Sequence, residues 1–446
     1  MNKLLLGSAA LVVAGSTAYA GGIERTTQST SVLFKEGNYV ELGLAQIRPS
    51  LSGTGEGLAE ASIASGTDYD DVGGQYNQTN LSAKIDLTDK LSFGLIMDSP
   101  FGADISYDGD SSTTELGGTS AFAETKAQTF LLKYKFSDRV SAFGGIRRQT
   151  ASGEIDLNGM AYGGPNVQNN VTANDLYTAA GVPPGFVPAL DAGIAQAIST
   201  LNDNQRGYQI ENTTYASGYS VDLDETPGTG FVLGAAYEIP DIALRVALTY
   251  NSEIEHKMKT SETLPLTQIT GFDLGTQTAT TSQTVITQNG ETKVITPQSW
   301  NLEFQSGVAK DTLVFGSVRW VQHSAFKIAP DFFKDNIKKS GLVDLEDTTT
   351  YRIGVGRRFS PNFSAQASIA HERSSSDDLK SPLAPTNGYT GISIGGAYKF
   401  DGGLELAGGV TYLKLGDAKA ATADTARADF SGNTAMGAGI RISYAF

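Results

Sequence analysis

The chain has 446 residues, with 33 Lys and Arg against 48 Asp and Glu, a formal charge of −15 and no Cys. This balance disfavours a nucleic-acid binder, which needs clustered basic residues to neutralise phosphates, and the missing Cys excludes disulfides, thiol catalysis and Cys-based zinc sites. Charged residues make up only 18% of the chain, against roughly 25% in ordinary soluble domains. The three His, which lie far apart, offer little material for a metal centre. We expect neither an enzyme nor a bound cofactor or metal.

Residues 1–20 have the pattern of a secretory signal peptide. Lys3 supplies a positive charge, residues 4–15 are an apolar stretch, and Ala18 and Ala20 place small residues at a cleavage site. The stretch is too short to span a bilayer, and no later run approaches the roughly 18 apolar residues of a transmembrane helix. If the exported chain spans a membrane, it must do so as a closed β-barrel, because lipid offers no partners to unpaired backbone groups.

Apolar residues alternate with polar or small ones along nearly the whole mature chain. At its end, Ile440, Ile442, Tyr444 and Phe446 share one face. This period of two indicates strands with a single apolar face. It predicts fourteen strands, at residues 39–53, 77–87, 91–107, 119–137, 140–159, 215–240, 242–264, 292–309, 312–330, 348–360, 363–375, 389–400, 404–417 and 433–446.

The strand pattern predicts an all-β fold, a 14-stranded antiparallel transmembrane β-barrel over residues 39–446. The even number of strands, the alternation of tight and long connections and the aromatic residues near strand ends are typical of outer-membrane barrels of Gram-negative bacteria. A soluble β-sandwich would also alternate, but it would not usually combine so many long strands with an aromatic C-terminus. Residues 21–38 precede the first strand and are called the hatch from here on.

The longest connection, residues 160–214, breaks the strand pattern. Apolar residues recur there at helical spacing and predict an amphipathic helix, at Val187, Leu190, Ile194, Ile198 and Leu201. The predicted fold therefore includes a helical extracellular loop. That helix is either a cap on the rim of the barrel or a landing surface for an apolar ligand.

Several short motifs are spread over the mature chain. They are the Gly-Gly-Ile start at residues 21–23, the first strand at 39–53, the sequence Ser-Pro-Phe-Gly-Ala-Asp at 99–104, the hairpin at 230–250, and the segments 297–300 and 351–354. Together they resemble the FadL family of outer-membrane transporters for long-chain fatty acids and other hydrophobic compounds. Tyr444 and Phe446 match the general signal that the barrel-assembly machinery reads.

Two features depart from the family pattern. The hatch is shorter than the plug of family members and lacks their Asn-Pro-Ala motif. The family's basic ligand-clamp position aligns on the apolar Leu157. That alignment implies that recognition of a carboxylate has moved to another residue or is not required.

The resemblance implies a passive uptake channel for long-chain fatty acids or similar hydrophobic molecules, with the hatch forming a short plug in the lumen and Ile23 plugging a lumenal pocket. Its expected partners are the hydrophobic ligand, outer-membrane lipid and lipopolysaccharide, and the barrel-assembly machinery, and we expect a monomer. One alternative is a channel of the same family for aromatic or alkane hydrocarbons. Another is a general porin or an adhesin without an apolar pocket.

Basic side chains in the predicted strands are candidates for holding a fatty carboxylate by a charge-assisted hydrogen bond. The candidates are Arg147, Arg148, Arg319 and Lys327. Each could instead pair with an acidic residue of the lumen.

Aromatic residues near the end of the ninth strand are candidates for the apolar wall of the pocket. Phe326 is the first of them, with Phe332 and Phe333 close behind. They could equally belong to the rim or the aromatic girdle of the barrel.

Ser99, Pro100, Phe101 and Gly102 mark a break in the third strand. Proline removes a donor from the ladder and glycine permits unusual backbone dihedrals. The motif predicts a lateral gate, through which the ligand would leave into the membrane. The alternative is an ordinary bulge near a loop.

Overall fold

Fourteen strands form one closed antiparallel barrel in a computed structural model that describes residues 22–59, 63–162, 181, 218–273, 278–336, 341–343, 345–375, 377–422 and 424–446. The first strand pairs with both the second and the last, which closes the barrel and confirms the predicted fold. The strands are β1 (Tyr39–Ser50), β2 (Tyr76–Asp86), β3 (Leu91–Asp98 and Gly102–Ser106), β4 (Ser120–Lys135), β5 (Val140–Leu157), β6 (Tyr219–Ile239), β7 (Leu244–Asn251 and Ile254–Asp273), β8 (Thr278–Thr296 and Ser299–Ala309), β9 (Thr312–Val321), β10 (Thr348–Arg358), β11 (Phe363–Glu372), β12 (Tyr389–Lys399), β13 (Leu404–Leu415) and β14 (Thr434–Ala445).

The two faces of the strands have opposite polarity. Ile440 and Ile442 on β14 are 54% and 47% exposed on the outer face, whereas polar residues such as Thr129, Thr249 and Asn301 are buried on the inner face. Apolar residues outside and polar residues inside are the arrangement that a lipid environment selects in a barrel. No helix among the described residues reaches the length and apolarity of a helical membrane crossing.

A second sheet covers the end of the barrel that carries the long connections. Tyr69 and Tyr107 pack edge to face with ring centroids 5.3 Å apart, and Tyr107 meets Phe430 in the same way. The buried Glu115 accepts a hydrogen bond of 2.8 Å from the Tyr69 hydroxyl. These contacts order the connections into a cap of five short strands, Gly53–Gly55, Asp68–Tyr69, Leu379–Lys380, Ala418–Thr422 and Thr425–Phe430.

The predicted boundaries of strands β7, β8 and β9 were wrong. The segment 265–291 is not a loop, because the β7–β8 ladder continues through Asp273 and resumes at Thr278. Its sequence is rich in Thr and Gln and lacks the apolar alternation on which the prediction depended. Strand β9 ends at Val321 rather than at residue 330, and a short helix, α1 (Asp331–Asn336), follows.

Two predicted elements lie outside the described residues. They are the signal peptide at residues 1–20 and the amphipathic helix at 187–201. Both stay predictions.

The C-terminus lies beside the start of β1 at the end of the barrel that carries the short turns. The backbones of Asn38 and Phe446 exchange two hydrogen bonds of 3.2 and 3.0 Å. The rings of Tyr444 and Phe446 stack with centroids 5.7 Å apart on the outer surface. The assembly signal that these two residues were predicted to carry stays a prediction.

Glycine at position 145 sets the close approach of β4 and β5. A Cβ atom added to Gly145 would lie 1.8 Å from the carbonyl oxygen of Phe130, whereas one added to Gly43 on β1 would meet no atom closer than 3.8 Å. We expect Gly145→Ala to reduce the yield of folded barrel, because overpacking of this kind distorts the backbone. Heat-modifiable mobility on denaturing gels measures the folded fraction, with Gly43→Ala as the matched control. Equal folded fractions for the two variants would contradict the expectation.

Candidate functional site

The upper part of the hatch is anchored inside the barrel through Arg319 of β9. Its guanidinium is buried and forms an ion pair with the buried Glu24. It also donates hydrogen bonds to Ser299 Oγ at 3.0 Å, Asn301 Oδ1 at 2.6 Å and Gln28 Oε1 at 3.1 Å. Arg319 therefore anchors the hatch. It pairs with an acidic residue inside the barrel, which is the alternative to carboxylate binding that the sequence left open for each basic candidate.

The lower part of the hatch is held by two lysines of the barrel wall. A single 3₁₀ turn, Ser31–Phe34, ends in backbone carbonyls that face the wall. Lys84 Nζ donates to the carbonyls of Lys35 and Gly37 at 2.9 Å, and Lys133 Nζ donates to that of Leu33 at 3.1 Å. The root of the hatch is thus fixed at the short-turn end of the barrel.

The tip of the hatch enters an apolar cluster between the Glu24–Arg319 ion pair and the cap. Ile23 is only 5% exposed there, and a cavity of about 60 Å³ remains beside it. Leu157 belongs to the same cluster. The buried members are hydrophobic and come from five strands (β4 to β8), the break in β3, the hatch, helix α1 and the connections: Ile23, Phe101, Ala121, Ala151, Ile155, Leu157, Tyr219, Val221, Leu223, Met258, Leu264, Val294, Phe326, Ile328, Phe333, Val343 and Leu383.

The structure places the candidate ligand residues in different environments. Phe326 and Phe333 are buried in the apolar cluster, and Phe332 packs against it. Lys327 is exposed beside Phe326. Arg148 is exposed on the outer face of β5, so it does not contribute to a lumenal site.

Arg147 faces the lumen and is buried. Among the described residues its single hydrogen bond runs from Nε to Thr129 Oγ1, at 2.8 Å. Asp98 is close enough to interact with its guanidinium electrostatically. Ala151 of the apolar cluster lies four residues farther along β5, a distance of roughly 13 Å at the rise of a β-strand.

The ladder between β2 and β3 is interrupted at the predicted break. Residues 81–86 pair with residues 92–97, and the pairing resumes where Gly74 N donates to Asp104 O at 2.8 Å. Between these points, residues 75–80 and 98–103 form no cross-strand pairs with each other. We call this stretch the seam.

The hatch takes the place of β2 along the seam. Gly102 N donates to Ile23 O and Arg25 N donates to Pro100 O, both at 2.8 Å, and Glu24 forms an antiparallel bridge with Phe101. On its other edge, β3 keeps its contact with β4 through Thr125. The tip of the hatch therefore fills the pocket and completes the wall at the same time.

A polar vestibule lies below the hatch and opens toward the short-turn end. Its cavity measures about 630 Å³. Charged side chains of both signs line it, among them Lys84, Lys133, Arg245, Glu41 and Asp86. None of the described residues lines both the vestibule and the apolar cavity. At the tip of the hatch, Ile23 lines the cavity and Arg25 lines the vestibule.

Sequence reasoning did not identify the polar residues around the seam. Five polar residues contribute to the seam: Glu24, Arg25, Tyr76, Gln78 and Asp98. Two of them belong to the hatch, which is irregular, and the others to β2 and β3. Local sequence patterns do not show that these two strands contact the hatch. One available signal was the Glu24–Arg25 pair, two charges inside a segment that was expected to fill a barrel.

The sequence matches the family described as "Outer membrane protein transport protein (OMPP1/FadL/TodX)" over residues 11–446. The structure is similar to a FadL homologue of Pseudomonas aeruginosa, with a TM-score of 0.65, 14% identity and 97% of each chain covered. It is also similar to the toluene transporter TodX of Pseudomonas putida, with a TM-score of 0.58, 14% identity and 97% and 98% of the two chains covered. These two likenesses show the fold.

A relative named as an outer membrane protein, from Neisseria meningitidis serogroup B, is 23% identical over 221 residues. The match covers 47% of this chain and 47% of the relative, so it spans about half the length of that curated protein. The localisation expected from the strand pattern, the outer membrane, agrees with both names and is confirmed.

We expect Arg319→Met to unseat the hatch, because removing one partner of a buried ion pair leaves the other charge uncompensated at a cost of about 3–5 kcal/mol. The vestibule would then connect with the space above it. Ion conductance in planar bilayers measures the change, and it should rise above that of the unchanged chain.

The matched control is the double variant Glu24→Met with Arg319→Met, in which no buried charge is left unpaired. It should conduct less than the single variant. A single variant that conducts no more than the unchanged chain would contradict the anchoring role of Arg319.

Proposed function

The chain belongs to the outer membrane protein transport protein family (OMPP1/FadL/TodX), and from this membership we propose that it takes up hydrophobic small molecules passively and releases them sideways into the membrane. The observation that supports this most directly is the apolar cluster with its residual cavity beside Ile23. Burying a CH₂ group there contributes about 0.8 kcal/mol. Such a pocket extracts an apolar molecule from the polar layer above the membrane without any energy source.

The lining of the pocket favours an uncharged ligand. Among the described residues around the cavity there is no Lys, Arg or His, and the family's clamp position is occupied by Leu157. A carboxylate held in this pocket would lose its hydration without gaining a cation. A hydrocarbon loses nothing comparable, and toluene, the molecule named for the similar transporter TodX, is of that kind.

Ile23 is the stopper of the pocket in this proposal. Its side chain occupies the space that an apolar ligand would fill, so binding favours conformations in which the tip of the hatch has moved away. The change is a shift of population between two positions of a short segment, driven by the differential affinity of the ligand.

Lateral release is supported by the contrast between the two ways out of the pocket. The vestibule below the hatch is lined by charged side chains, so an apolar molecule that crosses it gives up the free energy of its burial. The seam lies directly beside Phe101 of the pocket, and among the described residues the hatch provides the backbone partners that close it. A ligand that displaces the tip of the hatch therefore opens its own exit.

One observation favours a second candidate, a long-chain fatty acid. Arg147 is a buried cation with a single hydrogen bond among the described residues, below the apolar cluster. The acyl chain would occupy the cluster and the carboxylate would reach toward Arg147. A general porin or an adhesin has no comparable use for an apolar pocket in the lumen.

Locking the seam should stop uptake if the ligand leaves through it. Thr79 of β2 and Ser99 of β3 are opposite each other across the seam by register, and the natural chain has no Cys. We expect the double variant Thr79→Cys with Ser99→Cys, joined by a short cleavable bifunctional thiol reagent, to lose toluene uptake in cells and to recover it after cleavage.

The matched control joins Thr79→Cys to Leu44→Cys, which faces it across the intact β1–β2 ladder. Crosslinking there should leave uptake unchanged. Full uptake through the crosslinked seam would rule out lateral release at this position.

Arg147→Met distinguishes the two ligand classes. For an uncharged ligand, oleate should remain a poor substrate with either side chain. If Arg147 binds a carboxylate, oleate uptake should fall by about tenfold or more, the effect of one lost charge-assisted hydrogen bond. Initial rates with labelled oleate decide between these outcomes.

A further inference from the structure

The side chain of Arg25 stands in the seam between β2 and β3. Its guanidinium lies 3.3 Å from the centroid of the Tyr76 ring on β2, and its Nε donates to Gly102 O on β3 at 3.1 Å. Gln78 of β2 donates to its backbone carbonyl. Arg25 thus connects the two strands at the place where their own ladder is missing.

One carboxylate oxygen of the buried Asp98 has no hydrogen-bond partner among the described residues. Asp98, the last residue before the break in β3, accepts a hydrogen bond from Thr26 Oγ1 at its Oδ2, at 2.8 Å. Its other oxygen, Oδ1, is buried and forms no hydrogen bond with any of the described residues. Buried carboxylate oxygens without partners are rare in folded proteins and call for an explanation.

We propose that Arg25 is a latch with two positions, on Tyr76 and Gly102 when the seam is closed and on Asp98 when it is open. This proposal rests on the lateral release proposed above and names the residue that controls it. The unpaired Asp98 Oδ1 is the acceptor that the open position uses.

The space and the chain length for this movement are present. Arg25 and Asp98 both line the vestibule of about 630 Å³, so the side chain can turn without entering the wall. Thr26, the next residue, already lies on Asp98. Among the described residues, Arg147 also lies close enough to Asp98 to interact with it electrostatically, and its Nε is held by Thr129.

The two positions are close enough in stability for a ligand to shift between them. The closed position has a cation–π contact with Tyr76 and a hydrogen bond to Gly102 O, and the open position has an ion pair with Asp98. Ile23 lies two residues from Arg25. A ligand that displaces Ile23 removes the backbone contacts at Pro100 and Gly102 and so favours the open position.

Opposite effects of two substitutions test the latch. Arg25→Ala removes the side chain that fills the seam and should speed toluene uptake by roughly 2- to 30-fold, the range of a cation–π contact. Asp98→Asn keeps an oxygen for Thr26 but removes the charge that stabilises the open position, so it should slow uptake. In the double variant, Asp98→Asn should have no further effect, because the group it acts on is gone.

A role that is only structural would move both single variants in the same direction. Arg48→Ala on the outer face of β1 and Asp89→Asn in the exposed β2–β3 turn are matched controls that should leave uptake unchanged. The folded fraction of every variant is measured by heat-modifiable mobility. Changes in the same direction, or no change with intact folding, would overturn the proposal.

A labelling experiment reads the latch without transport. Ala103→Cys places a single thiol in the lining of the apolar pocket beside the seam. A maleimide dissolved in the lipid of proteoliposomes should react with it faster in the Arg25→Ala background and slower in the Asp98→Asn background. Equal labelling rates would reject the latch. If toluene is not taken up at all while the labelling rates differ as expected, the proposed function fails and the latch stands.

Discussion

The whole structure depends on the requirement that the backbone of a membrane-embedded strand finds its hydrogen-bond partners within the protein. Most neighbouring strands of the described chain meet it with their own ladders, but at the seam β2 and β3 do not. There the backbone groups of Pro100 and Gly102 pair with the hatch instead. A plug that only filled the lumen could move without consequence for the wall. This one cannot, because the segment that blocks the pocket is also part of the ladder.

The same segment separates two compartments of opposite polarity. Above it lies an apolar cluster around Ile23, and below it a vestibule lined by lysines, arginines and carboxylates. The Glu24–Arg319 ion pair lies next to Ile23 in the chain and fixes it from the polar side. An apolar molecule gains free energy as far as the tip of the hatch and would lose it beyond. This change of polarity at the tip of the hatch therefore favours release of an apolar molecule at the level of the seam.

The barrel could be predicted from the sequence because period-two alternation is a local property of each strand. The prediction from this alternation failed for residues 265–291, where the sequence of the hairpin is polar and has no apolar face. The alternation of faces along β5 could have shown that Arg147 points into the lumen and Arg148 points outward, because Arg148 lies on the same face as the exposed Ile146. The contacts of Arg319 and Arg25 could not be predicted. The contact of Arg25 with Gly102 joins residues 77 positions apart and that of Arg319 with Glu24 joins residues 295 positions apart, and the hatch has no periodicity that would show which way its side chains point.

A structure determined with toluene bound tests lateral release most directly. Release through the wall predicts ligand density in the apolar cluster, Ile23 displaced from it, and residues 75–80 separated from residues 98–103 with lipid at the opening. Density that continues through the vestibule to the short-turn end, beside a seam that remains closed by the hatch, would contradict it.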